Sequence, residues 1–110
     1  MTTEGFNTYL REMQSMTSET LIRKAEEYAT GGDRLHNFKV AAGMQGCTML
    51  QALGGMMSKH TVSIYDMIGS GQPYDRALWA EKIQDHINYL YLLWAAVNED
   101  VVPNEDEFQV

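Results

Sequence analysis

Between the loop GSGQPYD and the acidic end of the chain runs one stretch without glycine or proline, RALWAEKIQDHINYLYLLWAAVN. Its apolar residues recur at helical intervals, Ile83, Ile87, Leu90 and Trp94 along one side, so it reads as a single helix to about Asn98. Roughly 23 residues at about 1.5 Å each make a rod of about 35 Å. A compact domain of this length has a radius of gyration of only about 13 Å. The rod must therefore span the fold, and the remaining helices must lie along it. Its second half, YLYLLWAAV, is apolar on every side, the pattern of a helix covered from more than one direction. That predicts a homo-oligomer built on helix-to-helix contacts.

The other segments carry the same periodicity. Phe6, Leu10 and Met13 form a first stripe, continued by Leu21, Ala25 and Tyr28 beyond SMTSET, whose hydroxyls could cap a new helix or kink an existing one. TGGD ends this arm, and Asp33 is placed to cap a short helix carrying Leu35, Phe38, Ala42 and Met44, with Gly46 to close it. Thr48 and Gln51 have the spacing of a capping box for a helix to about Ile68, and Asp75 would cap the last one. Gly54 and Gly55 fall mid-helix, where each costs about 1 kcal/mol relative to alanine; a close backbone or ligand approach, or a kink, would explain them. No useful length shows strict alternation. The expected fold is all-α, a bundle of four to five helices over residues 1–98, with 99–110 an acidic, partly disordered tail.

Composition narrows the function. At 110 residues the chain suits one domain, and 45% hydrophobic with 21% charged residues is ordinary for a globular protein. A net charge of −7 argues against binding long nucleic acid, which needs a basic surface for counterion release. A free nucleotide remains compatible, through a cation or a small basic patch. The polar start MTTEGFNTYL lacks the basic and apolar regions of a signal peptide, and no run approaches the roughly 18 apolar residues of a membrane span. A cytosolic location without a membrane partner is the expectation. Cys47 is the only cysteine, which excludes an internal disulfide and reads as a buried, inert thiol.

The residues that could carry chemistry fall in four groups. In the last helix Glu81, Asp85 and Asn88 share one stripe at i, i+4 and i+7. Two like charges about 4 Å apart repel by about 4 kcal/mol at an effective dielectric near 20, so converging carboxylates away from water call for a divalent cation or a raised pKa. Mg²⁺ suits such oxygen ligands and bridges carboxylates to phosphates. Asp85 and Asn88 hydrogen-bonding across a helix interface is the plain alternative. Asp66 and Glu27 are further candidate metal ligands, and Lys24 and Lys59 candidate phosphate contacts. Tyr28 shares a face with Lys24. In DRLHNFK, the polar residues Arg34, His36, Asn37 and Lys39 could read a base edge or clamp a phosphate, or simply form a solvated first turn. His60, on an apolar face, reads first as a hydrogen-bonded core histidine.

Lys24, Glu27 and Tyr28, then DRLHNFK, ALGGMMSKHTVSI and EKIQDHINYLYLL, resemble the small all-α phage and bacterial nucleotide-modification-associated domains. The last helix also looks like the EELGDVLWYLL helix of MazG-type nucleoside triphosphate pyrophosphohydrolases. Together the likenesses span about residues 20–98. They imply an oligomeric, nucleotide-handling helical protein and, from the MazG side, Mg²⁺-dependent cleavage to a monophosphate and pyrophosphate. On that reading Asp85 matches the helix aspartate, with Glu81 as its catalytic companion, and Tyr89 matches the following aromatic. The family's glutamate three residues earlier is Lys82 here, and the upstream ExxE pair is missing. Three expectations follow: a hydrolase; a protein that binds or sequesters a nucleotide without cleaving it; or a purely structural helical oligomer.

Overall fold

The computed structural model describes residues 1–28 and 31–100. Among these, four helices form: α1 (Thr3–Tyr28), α2 (His36–Gln45), α3 (Met49–Ser70) and α4 (Arg76–Asp100). The chain is all-α, as its periodicity predicts. Ala29, Thr30 and most of the expected tail, 101–110, lie outside the described residues, while Glu99 and Asp100 belong to α4.

Local chemistry places each boundary. Thr2 Oγ1 accepts the Gly5 N–H at 3.0 Å, opening α1. SMTSET neither caps nor ends a helix, and α1 runs straight through it. Thr17 lies buried there, its hydroxyl hydrogen-bonded to the carbonyls of Met13 and Gln14 at 3.0 Å each, so the local chain satisfies it without breaking the helix. Asp33 Oδ1 accepts the Leu35 N–H at 3.0 Å ahead of α2, which Gly46 closes at φ 66°. The capping box of α3 is complete: Gln51 N–H donates to Thr48 Oγ1 at 3.1 Å, and Thr48 N–H to Gln51 Oε1 at 3.0 Å. Gly71 ends α3 in the left-handed region, and Asp75 Oδ1 accepts the Leu78 N–H at 2.8 Å to open α4.

α3 is the centre of the packing. α2 and α4 both lie against it, and α1 packs extensively on α4 alone. The core gathers Leu35 and Phe38 with Met49 and Leu53 of α3 and Ala96 of α4, flanked by Leu50, Met56, Tyr89, Leu92 and Leu93. An ion pair between Glu12 and Arg76 ties α1 to the start of α4. Cys47, expected to be buried, is half-buried in the α2–α3 connection. Gly54 and Gly55 cause no break in α3, and a Cβ at either would meet nothing within 4 Å, so no close backbone approach accounts for them. The outward side of α4 stays apolar and open, with Ile83 37% and Leu90 48% exposed. No helix among the described residues is long and apolar enough to cross a membrane.

Candidate functional site

Side chains from all four helices line an open-mouthed cavity of about 340 Å³, within the range of small-molecule sites. Each contributes one stripe of side chains at helical spacing. Leu21 and Lys24 come from α1; Arg34, Asn37 and Phe38 from the start of α2 and the turn before it. Met56, Lys59 and His60 come from α3, and Asp85, Asn88, Tyr89 and Leu92 from α4. The wall is graded. Lys59 and Asn37 are exposed, Lys24, Arg34 and Asp85 half-buried, and Phe38 and Asn88 buried.

The charge on this wall differs in sign from the chain as a whole. Lys24, Arg34 and Lys59 face it together with the single carboxylate of Asp85, and none of the three cations makes an ion pair among the described residues. Deeper in, the His60 and Tyr89 rings lie 4.7 Å apart at 34°, and Phe38 meets Tyr89 edge-on with centroids 6.2 Å apart. Asn88 is 6% exposed, and its Oδ1 is buried with no hydrogen-bond partner, the one such side-chain atom among the described residues. A buried amide oxygen left unpaired is costly, and ligand sites are where such groups persist.

His60 holds its proton less tightly than a free histidine because it is partly buried; Asp85 opposes the shift, while Lys59, Lys82 and His86 reinforce it. The unfolded chain therefore binds this proton more readily than the fold does, so the stabilising contribution is full above the ordinary value of 6.5 and is lost as pH falls through the lower folded value. Urea unfolding is expected to show lower stability at pH 5.5 than at 7.5, and His60→Gln should flatten that slope. An unchanged slope would place the proton elsewhere. Neighbouring His86 is already engaged, its Nε2 2.9 Å from Thr61 Oγ1.

The structure thus brings Lys24, Arg34, Asn37, Lys59, Asp85, Asn88 and Tyr89 of the sequence-derived candidates around one cavity. The others are placed differently. Lys39 points away, paired with Asp33 at 2.8 Å and with Glu99, which fastens the turn before α2 to the end of α4. Asp33 consequently loses its proton more readily, through the Lys39 ammonium first and the Leu35 N–H second. His36 is half-buried and off the wall, and the Tyr28 side chain lies outside the described residues. Glu27, Asp66 and Glu81 are exposed and do not line this cavity, so Glu81 and Asp85 do not share the protected space expected of them. Among the described residues no group of three or more His, Cys, Asp or Glu is gathered to hold a metal ion. One carboxylate and an amide are a poor donor set for Mg²⁺.

His60, Leu21, Phe38, Met56 and Leu92 complete the wall without having been candidates. Their apolar spacing marked them as core, and only the i, i+1 adjacency of Lys59 and His60 hinted that one turn of α3 serves both core and cavity. Fold and cavity together define the class: an all-α bundle with a cation-rimmed cavity among its helices. Comparison with protein-family models, curated proteins and solved structures finds no match.

Proposed function

We propose that the chain is a nucleotide-binding protein that holds its ligand in this cavity. The phosphates lie toward Lys24, Arg34 and Lys59, and the base lies against the His60–Tyr89 pair. The observation carrying this reading is the convergence of three cations without ion-pair partners over an aromatic pair, in a chain of net charge −7. Cations without ion-pair partners along one cavity are suited to a phosphate, and a flat ring is a sequence-tolerant platform for a base.

Binding without cleavage is preferred to hydrolysis, because the wall offers one carboxylate to a reaction whose family resemblance rests on several. Calorimetry with a panel of ribonucleotides and deoxynucleotides tests it. Arg34→Ala should weaken binding about 10- to 100-fold, the range for losing a charge-assisted contact, and the ligand should be recovered intact after denaturation. Pyrophosphate released in Mg²⁺ by the wild type and absent in Asp85→Asn would establish the hydrolase instead. If no nucleotide binds, the structural-oligomer reading is left. Self-association through the open face of α4 is part of the proposal, supported by the 4-3 spacing of Ile83, Ile87 and Leu90. Sedimentation of wild type and Leu90→Glu reads it, the variant running as the smaller species.

A further inference from the structure

The side of the cavity that α4 forms differs chemically from the rest, for it carries no cation. Asp85 and Asn88 stand three residues apart on α4, about 4.5 Å along the axis and on one face. Asp85 makes no hydrogen bond or ion pair among the described residues, and Asn88 Oδ1 is buried without a partner. An ionised carboxylate can only accept, through two oxygens. Rotation of the Asn88 amide about its terminal torsion exchanges its oxygen and nitrogen without changing its shape. Turned that way, the amide would present a second acceptor to the cavity. What this wall lacks is donors, at least two of them side by side and coplanar with a ring that can lie against His60 and Tyr89.

Resting on the nucleotide reading above, we propose that the base recognised is guanine. Its Watson–Crick edge carries N1–H beside the N2 amino group, a pair of parallel donors matched to the two oxygens of Asp85. The second N2 hydrogen remains for Asn88. The other bases meet the same wall with a mismatch. Hypoxanthine keeps N1–H but has no amino group. Adenine and cytosine each set one amino donor beside an unprotonated ring nitrogen, which would face a carboxylate lone pair to lone pair. Uracil offers one N–H between two carbonyl oxygens. Sites built to pair with donors discriminate strongly against analogues lacking them, because the protein's own buried polar groups are then left unpaired.

Calorimetry of the full chain with the 5′-monophosphates and 5′-triphosphates of guanosine, inosine, adenosine, cytidine and uridine decides the matter. The guanosine compound should bind at least tenfold more tightly than the inosine compound, and about a hundredfold more tightly than the adenosine compound. Asp85→Asn, nearly identical in shape and checked for helicity by circular dichroism, should shrink the guanosine-to-adenosine ratio to below tenfold while phosphate-driven binding persists. If the variant does not fold, the wild-type ladder alone still decides. Adenosine or a pyrimidine bound as tightly as guanosine, or a ratio unchanged in Asp85→Asn, overturns the guanine assignment and leaves nucleotide binding standing. Binding of none of the ten compounds overturns both.

Discussion

In urea unfolding, Leu53→Ala is expected to lose about 2–5 kcal/mol, the range for truncating a fully buried leucine. Leu53 has no exposed surface and belongs to the core cluster where α2, α3 and α4 meet. Few side chains are as completely enclosed, and among the described residues Thr17 is the only other one larger than alanine. The surroundings are themselves helical and capped, so they relax only partly into the space left behind. Against a total stability of about 5–15 kcal/mol for a domain, one substitution would remove a large share. Leu90→Ala, on the open side of α4, serves as the comparison and should cost under about 1 kcal/mol in the monomer. Equal losses at the two positions would mean that the centre of packing is not where Leu53 lies.

Asn88→Leu should move stability and binding in opposite directions. The two side chains have similar shape, and leucine removes a buried acceptor that has no partner among the described residues. Relief of that penalty is worth about 1–3 kcal/mol, and each kcal/mol raises the melting temperature by roughly 4–8 °C in a domain of this size. The same change takes away a polar contact to the ligand, so nucleotide affinity should fall by about tenfold or more. Stability held back at a binding site is a common trade. A variant that melts lower, or that melts higher and binds as well as wild type, would show that the Asn88 amide serves packing only.

How much of this could be read beforehand differs between fold and site. Helix starts are local events, and Thr48 with Gln51, Asp75, and Gly46 announce them in the sequence because the caps involve residues three apart or a single left-handed glycine. SMTSET misleads for the opposite reason: a threonine hydroxyl within a helix bonds the preceding turn as readily as it caps the next, and tertiary burial of Thr17 and Thr20 chooses between them. In the site, periodicity supplies the angle of a residue around its helix but not where along the axis the neighbours end. Glu81 shares the stripe of Asp85, yet lies one turn, about 6 Å, nearer the start of α4 and beyond the cavity. Asp66 stands about 10 Å along α3 from Lys59 and is likewise past the wall. The outward turn of Lys39 depends on Asp33 and on Glu99, sixty residues later, and no local pattern encodes that meeting.

The attachment of α1 has a consequence for how occupancy would be felt. This helix rests mainly on one neighbour, yet its final turns supply Leu21 and Lys24 to the cavity. A guest seated there becomes the missing second support for the arm, and its binding free energy is spent in part on fastening it. Filling the chamber should therefore slow amide hydrogen exchange most along the last turns of the first rod, more than in the already braced middle one.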